Sequence, residues 1–169
     1  AVCNLRCPFC ATTNSRWGND KRGFMDVSLY RKIIDEGAAN GLCAIKLSLR
    51  GEPLLHPKLA SMVEYAKKKG IMDVYFNTNA ILLTEEKVEQ LIDAGLDRIS
   101  ISIEGFTREV YEKFRVGATF ERLIGNVSRL IEIREKRNSR TPQIRIQTVL
   151  LQELKDDFET YVNFWRRYA

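Results

Sequence analysis

The chain has 169 residues, 44% of them hydrophobic, with 27 Lys or Arg against 22 Asp or Glu and a net charge of +5. That supplies one domain with a substantial core and excludes two large ones. No apolar stretch approaches the ~20 residues of a membrane-spanning helix, the N-terminus lacks a signal peptide's charged-then-apolar layout, and basic residues alternate with acids instead of forming the blocks of a nucleic-acid surface.

The chain opens on CNLRCPFC, which places Cys3, Cys7 and Cys10 within eight residues. Three thiolates on one loop can hold one soft metal centre, and a set of three leaves a coordination position open where four would close it. On spacing alone, zinc, a structural role and a disulfide remain alternatives. Thiols that bind metal need reducing surroundings, which favours the cytoplasm. Arg16, Trp17 and Arg22 follow in a loop that could shape substrate access or be ordinary polar surface.

Helix and strand signals then alternate. Ser28 is the expected N-cap of a first helix that ends near Gly41. A β-rich run near 43–49 carries Cys43, expected to behave as a small buried hydrophobe. After the turn RGEPLLHP, Leu59, Met62, Val63 and Ala66 mark one face of a helix closed by Gly70. His56, the only histidine, is expected to open that helix, and its solitude excludes a His-based triad. A strand near 73–77 leads to a helix capped by Thr84, built on Val88, Leu91 and Ile92 and closed by Gly95. Further strands are expected near 98–103 and 143–150. Phe120, Leu123, Ile124, Val127 and Leu130 lie between them at helical spacing, and Leu154, Phe158, Tyr161, Val162 and Trp165 come after.

This order predicts an α/β fold with a parallel sheet of right-handed units. Buried parallel strands usually read as continuous apolar runs, yet here Ile45, Leu47 and Leu49 interleave with Lys46, Ser48 and Arg50, Val74 and Phe76 with Tyr75, Asn77 and Asn79, Ile99, Ile101 and Ile103 with Ser100, Ser102 and Glu104, and Ile144 and Ile146 with Arg145 and Gln147. With the apolar faces against helices, the polar faces would line a shared interior that holds ligand and water. A doubly wound sheet is the competing architecture. Arg145 and Gln147 are candidates for contacts in that interior, with no chemical role assigned.

The C-x-x-x-C-x-x-C spacing with Phe9 before the last cysteine resembles the cluster motif of the radical S-adenosylmethionine (radical SAM) enzymes, and further motifs occur in family order. The resemblance implies a partial (β/α)6 TIM-like barrel of parallel strands, with 1–169 as the core domain, a first strand before Cys3 and a last β–α unit beyond Ala169. It implies a 4Fe-4S cluster held by Cys3, Cys7 and Cys10, its fourth iron chelated by the methionine end of S-adenosylmethionine. RGEP resembles the family's G-G-E-P motif, with Arg50 in place of the first glycine: Glu52 would accept from the cofactor's ammonium, Gly51 would allow close approach and Pro53 would stiffen the turn. FNTNA looks like the T-N-G loop with Ala80 for glycine, which puts Asn77 near the cofactor; local capping by Asn77 and Asn79 is the alternative. ISISIEG resembles the ribose-binding S-x-D-G motif, so Ser102 and Glu104 would share a face toward the ribose, unless Glu104 is a surface charge at a helix start. YEKFRVGATFERL resembles a segment of the peptide- and sugar-modifying branches in which an arginine, here Arg115, pairs with the methionine carboxylate; the alternative is a helix-end dipole partner.

The implied activity is reductive cleavage of S-adenosylmethionine to a 5'-deoxyadenosyl radical that abstracts hydrogen from a peptide, sugar or small metabolite. An electron donor such as flavodoxin or ferredoxin is implied with it. The motif style is nearest to SPASM-type members, whose auxiliary clusters would lie beyond this sequence. No residue is assigned as catalytic. The competing reading is a non-catalytic zinc or iron-sulfur module with a basic surface on nucleic acid.

Overall fold

The computed structural model describes residues 2–11, 13 and 23–168; Arg16, Trp17 and Arg22 lie outside them. Four strands, β1 (Ala44–Lys46), β2 (Asp73–Thr78), β3 (Arg98–Ser102) and β4 (Gln143–Gln147), form one sheet in sequential order. Every pairing is parallel, with Lys46 opposite Tyr75, Tyr75 opposite Arg98, and Ser100 opposite Arg145. Parallel neighbours require a crossover, and the helices supply it: α1 (Val27–Ala39) before β1, α2 (Leu59–Lys68) and α3 (Glu85–Asp93) between the next strands, then α4 (Arg108–Phe114) and α5 (Phe120–Lys136) before β4.

The alternation seen in the sequence is the alternation of the sheet, except at Leu49, which lies past the end of β1 and is exposed instead of packed under the helices. Val74, Phe76, Ile99, Ile101 and Ile103 are fully buried beneath the helices, each contributing about 1.5–3 kcal/mol of burial. Leu59, Met62, Val63 and Ala66 of α2 and Leu123, Val127 and Leu130 of α5 meet them from outside. Tyr30 of α1 is buried with its hydroxyl donating to the Met62 carbonyl at 2.9 Å. On the opposite face Lys46 and Arg145 are exposed.

Local details depart from the sequence reading in four places. The cap of α1 is Asp26, which accepts from the Leu29 amide at 2.9 Å, while Ser28 lies within the helix and donates to Asp26. Cys43 is exposed, its thiol donating to the Gly41 carbonyl at 3.3 Å, because it precedes an edge strand with no neighbour on its outer side among the described residues. His56 ends the one-turn helix Pro53–Leu55 instead of opening α2, and its Nδ1 accepts from the amide of Lys58, the α2 cap. The helical run after β4 is split into α6 (Gln152–Lys155) and α7 (Phe158–Trp165) by Asp156 and Asp157, two residues of poor helix propensity. Thr84 caps α3 as expected, and Gly41, Gly70 and Gly95 take the left-handed backbone that ends each preceding helix. From α7, the Tyr161 hydroxyl and Trp165 Nε1 each donate at 3.0 Å to the Ile103 and Gly105 carbonyls just past β3.

Candidate active site

The sheet's carboxyl end is where a parallel α/β fold gathers ligands, and the cysteine loop lies across it, stitched at three points. The Glu52 amide donates to the Val2 carbonyl at 2.8 Å, the Asn79 side chain donates to Asn4 Oδ1 at 3.0 Å, and the Arg6 amide donates to the Val116 carbonyl at 2.9 Å. Leu5 is buried among them. Gly51 is required at the first stitch: its φ is +81°, and a Cβ there would overlap the Val2 carbonyl oxygen.

A cavity of about 320 Å³ opens beneath the loop, within the size range of small-molecule and cofactor sites. Cys3, Cys7 and Cys10 line it together with Phe9, Gly51, Glu52, Asn77, Ser102 and Arg115. These come from the N-terminal loop, the ends of three strand segments and the end of α4, and the fold brings them to one place. Among the described residues no three Cys, His, Asp or Glu side chains close around a single ion; what the three cysteines share is the cavity wall. Burial pushes the Cys3 and Cys7 thiols up, against the pull of the Leu5 amide at Cys3 and of Arg115 at Cys7.

Pro53 is not on this cavity. It lines a neighbouring space of about 380 Å³ that shares Ser48, Leu49, Arg50 and Glu52 with the first, and it begins the helical turn that carries Leu54. Glu52 is 5% exposed and closely held: Oε1 accepts from the Thr78 hydroxyl at 2.6 Å and the Leu54 amide at 3.0 Å, and Oε2 accepts from the Asn79 amide at 2.8 Å. Burial nevertheless pushes its carboxyl above the ordinary range, with those bonds opposing. Three of its roughly four acceptor positions are taken, which leaves one.

Asn77 faces the cavity, with Nδ2 on Gln147 at 3.1 Å and its amide on the Ser48 hydroxyl at 2.9 Å. Asn79 does cap locally, accepting from the Ile81 amide at 3.0 Å, while its other end holds Asn4. Ala80 adopts φ +60°, so the turn that the T-N-G motif assigns to glycine is made here without one; the Asn126 side chain holds it by donating to the Ala80 and Ile81 carbonyls.

Ser102 and Glu104 have different surroundings. Ser102 ends β3 and lines the cavity, but the strand has stopped by Glu104. Glu104 is 1% exposed and spent on Arg115 and on the Val149 amide at 3.3 Å. At that burial it is not the surface charge of the alternative reading. Arg115 ends α4, pairs through Nε with Glu104, donates through Nη1 to Cys7 Sγ at 3.7 Å and lies over the Phe9 ring at 5.6 Å. Burial opposes its charge, but Glu104, with Cys7 and Tyr111, holds the guanidinium above its usual pKa.

Sequence reasoning missed Asn4, Thr78 and Tyr111. Asn4 stood inside the cysteine motif, and the Thr78 hydroxyl donates to Glu52 while it accepts from the Ala80 amide at 3.0 Å. Tyr111 on α4 is fully buried, and its hydroxyl is the one buried side-chain polar atom without a partner among the described residues. Burial raises its pKa, with Arg115, Glu104 and Cys7 next in influence.

A profile of the Radical SAM superfamily matches residues 1–164. A probable GTP 3',8-cyclase of Methanococcus maripaludis is 35% identical over 78% of this chain and 43% of its own length. A tungsten-containing aldehyde ferredoxin oxidoreductase cofactor-modifying protein of Pyrococcus furiosus is 30% identical over 89% of this chain and 42% of its own. The chain thus spans less than half the length of these curated relatives. Among solved structures, SuiB of Streptococcus suis bound to S-adenosylmethionine superposes with a TM-score of 0.77 at 20% identity, over 97% of this chain and 35% of that one. BtrN in complex with AdoMet and 2-DOIA gives 0.63 at 20% identity, over 87% and 52%. The expected parallel partial barrel, and not the doubly wound sheet, is the fold these structures share with the chain.

Proposed function

Because the chain belongs to the radical SAM superfamily, whose cofactors are a 4Fe-4S cluster and S-adenosylmethionine, we propose that the full protein cleaves S-adenosylmethionine reductively and uses the 5'-deoxyadenosyl radical to abstract hydrogen from its substrate. One observation carries this reading: the three cysteines of the loop and the strand-end residues Gly51, Glu52, Asn77 and Ser102 line a single cavity with Arg115. Bound there, the cofactors supply the electron and the scissile bond, and the protein's part is to hold them and exclude water.

Cys3, Cys7 and Cys10 take one iron each. Gly51 lets the backbone approach the cofactor. Glu52 offers its remaining acceptor position to the ammonium, held in aim by Thr78, Asn79 and Leu54. Arg115 spends two of its five N–H groups on Glu104 and Cys7 and keeps others for a carboxylate. Asn77 and Ser102 offer polar contacts and Phe9 an apolar wall. Pro53 and Glu104 support from behind, the first by starting the turn after Glu52 and the second by fixing Arg115.

Among the described residues the outer edges of β1 and β4 have no strand neighbour, which supports a further strand on each side in the full protein. Relatives named for a GTP cyclase and for cofactor modification act on different molecules, so the substrate is proposed only as a peptide, sugar or small metabolite. The electron donor is a protein such as flavodoxin or ferredoxin, and the site of action the cytoplasm. No helix of the described residues is long and apolar enough to cross a membrane.

The test is anaerobic reconstitution of the full-length protein with iron and sulfide, then addition of dithionite and S-adenosylmethionine. 5'-Deoxyadenosine forms with the wild type and not with the Cys3, Cys7, Cys10 triple alanine variant. A cluster-loaded wild type that yields none would reject the proposal.

A further inference from the structure

The Glu104–Arg115 pair, with side chains 1% and 11% exposed, is the most deeply buried ion pair among the described residues. Such a pair is a weak source of stability, because desolvation offsets most of its Coulomb attraction. Its placement has a more specific consequence. The guanidinium is held from several sides: Nε by Glu104, the plane by Phe9, and the backbone by the Arg115 amide on the Tyr111 carbonyl at 2.8 Å. Glu104 is itself fixed by the Val149 amide beyond β4. What this frame presents to the cysteine loop is one donor, Nη1, at 3.7 Å from Cys7 Sγ. Cys3 Sγ by contrast accepts from a neutral backbone amide, that of Leu5, at 3.5 Å.

We propose that Arg115, restrained by Glu104, is a positioning residue that sets the reduction potential of the cluster through Cys7. The inference rests on the reading of Cys7 as a cluster ligand. Hydrogen bonds to ligand sulfur and the net charge nearby are levers on an iron-sulfur potential. When the cluster accepts one electron, the added negative charge spreads onto its thiolates. A cation bonded to one of them favours the reduced form and raises the potential. Glu104 acts with the opposite sign while it holds the donor in place.

The two residues therefore predict opposite shifts. The measurement is the midpoint potential of the reconstituted full-length protein, taken by anaerobic dithionite titration without S-adenosylmethionine, so that cofactor binding does not enter. Glu104→Gln keeps the side chain's shape and an acceptor oxygen, and its midpoint moves positive. Arg115→Gln loses the bond to Cys7 and moves negative. The double variant leaves net charge unchanged but also lacks that bond, and lies below wild type. Loosened packing would move both single variants the same way. Should Arg115→Gln fail to fold, Glu104→Gln alone decides: no shift, or a negative one, overturns the inference. A wild type that assembles no 4Fe-4S cluster overturns instead the reading of the cysteines, and this inference with it.

Discussion

Replacing Gly51 with alanine isolates the contact that seats the cysteine loop. Gly70 is the natural control, since both residues have left-handed backbones, φ +81° and +86°, but a Cβ at Gly70 meets nothing within 4 Å. Left-handed backbone at an alanine costs about 1–2 kcal/mol at either position, and the entropy alanine removes from the unfolded chain, about 0.4–1 kcal/mol, is common to both. At Gly51 the new methyl would overlap the Val2 carbonyl oxygen and lie 3.1 Å from the Val2 nitrogen, so the segment leading to Cys3 must shift. The bond from the Glu52 amide to Val2, 2.8 Å long, weakens with it, adding about 1 kcal/mol or more. For a chain of this size each kcal/mol lowers the melting temperature by about 2–4 °C. Gly51→Ala should therefore melt at least that much below Gly70→Ala when followed by circular dichroism. In the full-length protein it should also take up less iron on reconstitution. Equal melting of the two variants would refute the argument that close approach to Val2 is what Gly51 provides.

Two further outcomes follow from buried polar groups. Tyr111→Phe removes a hydroxyl that has no partner and should stabilise the cluster-free protein by about 1–3 kcal/mol, read as a rise in the urea midpoint; a fall would mean that the hydroxyl is bonded. Glu52 has a carboxyl raised by burial, so between the ordinary carboxylate value near 4.3 and its own higher one the folded chain binds more protons than the unfolded. Stability contributed by this group is thus present at low pH and declines as pH rises through that window, and Glu52→Gln should flatten the decline in urea midpoints collected from pH 4 to 7; an unchanged slope would assign it to another group.

The sheet was legible because its strands alternate strictly: Val74 and Phe76 must go one way and Tyr75 and Asn77 the other, whatever the partners. The cavity was legible because Cys3, Cys7, Cys10, Gly51, Glu52 and Arg115 stand at motif positions that fall at strand and helix ends. What stayed hidden was mutual. Glu104 and Arg115, eleven residues apart in sequence, each read as ligands for a cofactor, and nothing in their spacing says that they bond each other. Ser102 lines the cavity, whereas Glu104, two residues past the end of β3, is bonded to Arg115. Asn79 likewise looked like a local cap, which it is, but half of its side chain reaches back seventy-five residues to Asn4.

A loop moored separately to the Glu52 turn, to Asn79 and to the segment after α4 has its shape dictated by parts of the chain that are complete only once the sheet has formed. Metal acquisition in such an arrangement follows folding and does not drive it, unlike a zinc finger, which is unfolded until its ion arrives. A short peptide copying the opening residues would carry the same sulfurs without their spacing. Chelation of the mature protein should then strip the metal and leave the barrel standing.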